Sequence, residues 1–529
     1  MKNMKKTVKQ AALLLTAAMT ATAITPMTVS AEETTETAVT EAVAETEATN
    51  PLKYVFLFIG DGMSYPQIQA TSDYLGAIEQ DSESEILSGP KALTMQTFPV
   101  AGSATTFDST SFCPDSASTA TSISTGHKTY SGSINVDETG TVSYETIAEK
   151  LKEQKDYKIG VISSVNLNHA TPAAFYAHQV SRNSYYDIAI EMVNSNFDYF
   201  AGGALLSPTG SKEDQEDIYT VAENAGYKVV KTQADAEALT AEDGKAIVIA
   251  ETLADSDSIS YENDRADEEW ALADYVNKGI EVLDNDNGFF MMVEGGKIDW
   301  ACHANDAGST VSDTIALDAA VAEAVEFYNE HPEETLIVVT GDHETGGLTI
   351  GYAGTDYDTF LTNLSNQKIS YAKYDSDYVT KYKEEGTDFD TVMADITEFF
   401  GLLPPAEGQT EDAAQMDDPN IHPESDNTGS LVMTEYEYNK LKTAYETTMS
   451  RTGEEEIGQE EYLLYGSYEP LSVTITHILN NKSGINFSSY AHTGLPVAVL
   501  AQGNGQELFG GYYDNTEIYT KMAQLLNVQ

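Results

Sequence analysis

KYVFLFIGDG, residues 53–62, is the stretch on which the reading of the chain turns. Its apolar run shows no polar alternation, so both faces of the segment must be buried. That is the pattern of a strand inside a parallel sheet. It ends in Gly60-Asp61-Gly62, where the glycines let the backbone turn sharply and bring a carboxylate to the strand end. Five more runs have this character: KIGVISS (158–164), AIVIA (246–250), GFFMMV (288–293), TLIVVT (335–340) and PVAVLAQ (496–502). Helical patterns lie between them, such as YETIAEKLKEQ (144–154) and TIALDAAVAEAVEFYNEH (314–331). The alternation predicts an α/β fold, a doubly wound, mostly parallel sheet flanked by helices. Residues 352–485 break the pattern. They are rich in Tyr, Asp, Glu and Thr without a strong buried run, and read as a large, partly helical insertion over the active-site edge.

The strand ends are chemically alike. KYVFLFI leads to Asp61, KIGVISS to His169 and Thr171, GFFMMV to Glu294, Asp299 and His303, and TLIVVT to Asp342, His343 and Glu344. In open α/β sheets ligands bind beyond the carboxyl ends of the strands. One polar strand end is ordinary loop composition; four that carry Asp, Glu or His are not. Carboxylates gathered at one edge repel one another unless cations neutralise them, so the pattern predicts a multinuclear metal site. Asp299 and His303 stand four residues apart, on one face if GKIDWACHA is helical, and His with Asp suits zinc. CPDSASTATSISTG (113–126) places Ser116 at a turn before a helix-compatible run. A serine there lies at the positive end of a helix dipole and could act as a nucleophile beside a metal. Asp and Ser also cap helices, and the stretch taken alone favours capping.

The chain has 529 residues, enough for one large α/β enzyme with insertions. Lys2, Lys5, Lys6 and Lys9, the run AALLLTAAMTATAI and VSA ending at Ala31 read as a signal peptide, residues 1–31, which implies a secreted, extracellular product. The apolar run is shorter than the roughly 20 residues of a membrane span. Residues 32–52 read as an acidic disordered tether, and 53–529 as the catalytic domain. The net charge of −57 becomes about −61 once the four leader lysines are gone. Such a surface repels polyanions, so nucleic-acid binding is not expected. There are three arginines, Arg182, Arg265 and Arg451, so few residues can supply a planar anion clamp. Cys113 and Cys302 could form one bridge, but no spacing rule links them, and free buried thiols are the expectation. MDDPNIHPESDN (416–427) lacks a calcium-ligand spacing and reads as a solvated loop.

Together FLFIGDGM, PDSASTATSISTGHKTYSG, NHATPAAFYAHQVSRN, VEGGKIDWACH, TGDHETGG and YAHTG (490–494) resemble the alkaline phosphatase family, of the secreted bacterial type. The resemblance spans about residues 53–350 and 488–527. It implies hydrolysis of small phosphate monoesters through a phosphoserine at Ser116, and the homodimer that family members commonly form. It implies one zinc held by Asp299, His303 and His492, and a second by Asp61, Asp342 and His343. A third ion, Mg²⁺, would be shared by Asp61, Thr171 and Glu294. Arg182 would clamp the phosphate, with Asp115 beside the nucleophile to orient it. His178 falls in the same motif but is given no ligand role.

Two positions depart from the best-known bacterial members. His169 stands where those have Asp, and Trp300 where they have Lys. His169 would bind the third ion directly or through water, or only hydrogen-bond, and an altered Mg²⁺ preference is the expectation. Rival readings are a phosphodiesterase or sulfatase relative on the same metal frame, and a secreted metal-binding protein without catalysis. Ser116, Arg182 and His492 together favour the monoesterase.

Overall fold

The central strands are apolar on both faces because each face supports its own core. In the computed structural model, which describes residues 52–80, 87–355, 357–405, 430–452 and 456–529, Tyr54–Gly60 is a strand buried along its whole length. Phe56 and Phe58 point into one apolar cluster, while Val55, Leu57 and Ile59 point into the other. Phe289, Met291 and Val293 alternate with Phe290 and Met292 in the same way, as do Ile337 and Val339 with Leu336 and Val338. A side-chain period of two thus feeds two cores from one sheet. Each such side chain contributes about 1.5–3 kcal/mol by leaving water.

Among the described residues ten strands form this sheet. They are β1 Tyr54–Gly60, β2 Val100–Thr105, β3 Lys158–Ser163, β4 Tyr199–Gly202, β5 Lys228–Val230, β6 Ala246–Ile249, β7 Phe289–Gly295, β8 Thr335–Gly341, β9 Val497–Gly503 and β10 Gly511–Asp514. Their order is β10-β2-β9-β8-β1-β7-β3-β4-β6-β5. Only β9 runs antiparallel to its neighbours. Helices Leu272–Leu283 and Ala307–Glu330 cover one face. Helices Ser116–Thr125, Ile147–Lys155, Tyr185–Asn194 and Thr516–Leu526 cover the other. This is the doubly wound, mostly parallel α/β sheet expected. All six sequence-read runs are strands; β2, β4, β5 and β10 were not read.

Residues 352–485 hold several helices, including Phe389–Phe400, Glu435–Ser450, Gln459–Tyr465 and Pro470–Ser483. The last is tied into the main body by Asn480, whose side chain donates to Asn305 O at 2.7 Å. Asn50–Gln529 form one compact unit. The signal peptide, the tether apart from Leu52, and the loop 416–427 lie outside the described residues. Among the described residues no helix is long and apolar enough to cross a membrane.

Candidate active site

Register brings the carboxylates together. β1 pairs with both β7 and β8, setting Ile59 opposite Glu294 and Gly60 opposite Gly341. Strands in a sheet lie about 4.8 Å apart, so Asp61, Glu294 and Asp342 reach one edge side by side. β3 adds Ser163 opposite Glu294, and its Oγ donates to Glu294 Oε2. The segment Lys297–His303 is helical, which puts Asp299 and His303 one turn apart. Asp61, Glu294, Asp342 and His343 are fully buried, and Asp299 nearly so.

The first group is Asp299, His303 and His492. His303 Nδ1 donates to Tyr490 O at 2.7 Å, and His492 Nδ1 donates to Pro114 O at 2.5 Å. A carbonyl only accepts, so each ring keeps its lone pair on Nε2. Those two Nε2 atoms are 3.0 Å apart. Asp299 Oδ2 lies 3.4 Å from His303 Nε2, and Oδ1 3.7 Å from His492 Nε2. Burial holds His492 below the usual histidine range. Lone pairs that converge without a proton between them call for a cation.

The second group is Asp61, Asp299 and His343. Asp342 adjoins it, with Oδ2 3.3 Å from His343 Nε2. Asp299 therefore faces both groups, a sharing that spacing along the chain does not reveal. Burial and the charges of Asp342, Asp299 and Glu294 push Asp61 well above the usual carboxylate range. Burial and Asp299 push Asp342 up to about 7. Divalent cations would replace the protons these groups otherwise keep.

The third group is Asp61, His169 and Glu294. His169 Nδ1 and Glu294 Oε1 face each other at 3.7 Å, and neither has a hydrogen-bond partner although both are buried. Leaving such atoms unsatisfied costs about 1–3 kcal/mol each. Thr171 Oγ1 donates to Asp61 Oδ2 at 3.3 Å.

Ser116 is the first residue of its helix, and its Oγ lies 3.1 Å from His343 Nε2 and 3.4 Å from Asp61 Oδ1. Capping falls to Asp115 instead, whose Oδ1 accepts from Ser118 N at 3.2 Å. Asp115 Oδ2 accepts from Arg182 Nη1 at 2.9 Å, and Arg182 Nη2 donates to His169 Nε2 at 3.0 Å. Trp300 lies edge-on to His169, with ring centroids 6.0 Å apart. The guanidinium is thus held between Asp115, at the start of the helix Ser116–Thr125, and the third group.

Sequence reading places Glu344 among the strand-end acids but in no ligand set, and the structure makes it a hub. It accepts from Gln67 Nε2, Gly347 N, Leu348 N and Thr493 Oγ1. Glu344–Thr345 pairs antiparallel with His492–Thr493, so this carboxylate joins the segments bearing His343 and His492. Thr345 Oγ1 donates to Asp299 Oδ1 at 2.5 Å. The only hint was the ETGG that follows Asp342 and His343.

His178 lies away from these groups. Its ring sits between Glu149 at 3.4 Å and Glu191 at 3.5 Å. Burial lowers its pKa, but hydrogen bonds to both carboxylates prevail and raise it to about 10. Its stabilising contribution is therefore full below about pH 6.5 and lost as pH rises through about 10. His178→Gln is expected to lower Tm by about 2–4 °C at pH 6. The difference from wild type should shrink toward pH 10.5 in paired thermal melts. Both cysteines are free as expected, but Cys113 is exposed rather than buried. Its place on the loop before the helix Ser116–Thr125 leaves it no core to enter. Cys302, on the helix Lys297–His303, is buried, its Sγ 3.5 Å from Thr310 Oγ1 and 3.7 Å from Gln67 Nε2.

A family model described as alkaline phosphatase matches residues 52–528. The chain belongs to the alkaline phosphatase family. It is a metal-dependent phosphomonoesterase, with buried groups able to hold the metal. Among its relatives, alkaline phosphatase 3 of Bacillus subtilis is 29% identical over 488 residues, which cover 90% of this chain and 89% of that protein. The alkaline phosphatase of Escherichia coli is 28% identical over 355 residues, 58% of this chain and 72% of that one. The cold-active alkaline phosphatase of Shewanella superposes with a TM-score of 0.69 at 25% identity, covering 89% of this chain and 99% of that one. The Thermus thermophilus enzyme, at 21% identity, shares the fold with a TM-score of 0.70 over 91% of this chain and 93% of its own.

Proposed function

We propose that this alkaline phosphatase cleaves small phosphate monoesters through a phosphoserine at Ser116. The observation that carries the reading is the position of Ser116 Oγ, at a helix N-terminus between Asp61 and His343, with Arg182 anchored beside it by Asp115. Asp299, His303 and His492 would hold one zinc, and Asp61, Asp342 and His343 a second. Asp61, Thr171 and Glu294, with His169, would hold Mg²⁺. Such cations lower the pKa of a nearby hydroxyl or water and stabilise charge on the leaving oxygen. Arg182 presents two N–H groups to non-bridging oxygens, and Asp115 fixes its plane. As the Ser116 Oγ–P bond forms, the P–O bond to the alcohol breaks, and the alcohol departs with the serine proton. Water then displaces Ser116, which regains a proton as phosphate leaves. Turnover of p-nitrophenyl phosphate should far exceed that of bis-p-nitrophenyl phosphate; a diester preference would favour the phosphodiesterase reading.

Two variants test the metal assignment. Glu344→Ala would leave the His343 and His492 segments unbraced, so zinc affinity should fall by about 10–100-fold in competition with a chelating dye. Unchanged affinity would deny Glu344 a positioning role. At the third group an imidazole replaces a carboxylate, which lowers the local negative charge and weakens a hard-cation site. A histidine-to-glutamate mutant of the alkaline phosphatase from the Antarctic bacterium TAB5 has Mg bound in its M3 site. His169→Asp is expected to bind Mg²⁺ more tightly than wild type in calorimetric titration of the apo enzyme. The same Mg²⁺ dependence in both proteins would sink the idea.

We also propose export, from the leader in residues 1–31. N-terminal sequencing of the protein from culture medium should start after Ala31; an intact Met1 would contradict this.

A further inference from the structure

Asp108 has no part in the chemistry described above, yet its carboxylate is buried beside it. It follows β2 at the sheet edge where Asp342 follows β8, because β2 and β8 both run antiparallel to β9. Its Oδ1 closes the turn Asp108–Ser111, accepting from Thr110 N at 2.6 Å and Ser111 N at 2.7 Å. That is the ordinary work of an aspartate in a turn.

Oδ2 is not needed for the turn and leaves the loop. It accepts from Ser131 Oγ, and it lies 2.9 Å from Ser118 Oγ. Ser118 Oγ also lies 2.8 Å from Asp115 Oδ1, so its single proton links the two carboxylates.

Both serines adjoin the groups that aim Arg182. Ser118 N donates to Asp115 Oδ1 at 3.2 Å. Ser131 precedes Gly132, whose N donates to Asp115 Oδ1 at 2.9 Å and whose carbonyl accepts from Arg182 N at 2.8 Å. Asp115 Oδ2 in turn holds Arg182 Nη1 at 2.9 Å. Ser131 is exposed, and a hydrogen bond to a buried carboxylate fixes it where a neutral contact would hold it less well. The hydrogen bonds thus run without a gap from Asp108 to the carboxylate on which the guanidinium rests.

We propose that Asp108 is a positioning residue that sets the plane of Arg182 for the phosphoryl group through Ser131, Gly132 and Asp115. The proposal rests on the reading of Arg182 as the phosphate clamp. Asp108→Asn tests it, because the amide keeps one oxygen for the turn and puts an NH2 group, which cannot accept, in place of Oδ2. The quantity to measure is the inhibition constant of inorganic phosphate against p-nitrophenyl phosphate. It is compared in metal-loaded wild type, Asp108→Asn, Asp115→Ala and the double variant. Asp108→Asn should raise this constant and KM together by about fivefold, with kcat within about twofold of wild type. Beside Asp115→Ala the same change should raise the constant by less than about twofold, since the link it acts through is gone. Loss of a negative charge alone would strengthen phosphate binding, so the sign separates positioning from charge. Ser131→Ala, at an exposed position, should raise the constant about threefold and likewise lose its effect beside Asp115→Ala, even if Asp108→Asn fails to fold. An unchanged or lower constant in these variants, or the same rise in both backgrounds, would overturn the proposal. An equal constant in wild type and Asp115→Ala would instead refute the clamp on which it rests.

Discussion

Ser116→Ala is expected to reduce turnover of p-nitrophenyl phosphate by roughly a thousandfold or more, while the protein folds and binds metal as before. The change removes one oxygen. Among the described residues that oxygen is the one hydroxyl or thiol in contact with both Asp61 and His343, at 3.4 and 3.1 Å. Helix capping would not suffer, because Asp115, not Ser116, accepts from Ser118 N. A stability loss would be the signature of a cap, and its absence together with loss of turnover is the signature of a nucleophile. Turnover close to wild type would remove the serine from the mechanism.

Metal removal should have the other large effect. Asp61, Glu294, Asp299 and Asp342 are nearly or wholly buried within one site, and the charge of Arg182 bears on Asp61 and Asp299. Without divalent ions, protons must bind, as the raised positions of Asp61 and Asp342 indicate. Exhaustive chelation is therefore expected to abolish turnover and to lower Tm, and the Tm loss should be larger at pH 8 than at pH 5. The sign follows from linkage. Carboxyls raised in the apo fold take up protons more readily than in the unfolded chain, so apo stability falls as pH rises through their folded values, about 7 for Asp342. Zinc with magnesium should restore both properties. Full turnover after chelation, with metal shown to be gone, would refute the account of the site.

How much of this was legible in the sequence follows from what each residue answers to. β1, β7 and β8 are buried on both faces, so their unbroken apolar runs announce them. β2, with the sequence VAGSAT, and the three-residue β5 carry no such run; they are strands because a neighbour pairs with them. Asp61, His169, Glu294 and Asp342 could be read because a parallel sheet sends every strand end to one edge. Asp299 and His303 could be read from helical spacing. Glu344 could not, because its work is to collect hydrogen bonds from Gln67, Gly347, Leu348 and Thr493, residues as far apart as 67 and 493. Nor could the double duty of Asp299, which is a matter of distances across the site. Nor could the packing of Tyr468 beside Ala301 of the helix Lys297–His303, because it comes from a stretch that reads as an insertion.

The central claim is that Ser116 takes the phosphoryl group. The most direct measurement is acid quench of the metal-loaded enzyme during turnover of a monoester, followed by peptide mapping in a mass spectrometer. The account predicts a phosphoryl group on Ser116, within the peptide containing PDSASTATSISTG, and none there in Ser116→Ala. A phosphoryl group on another residue would contradict it. So would full turnover with Ser116 unmodified at every quench time and pH.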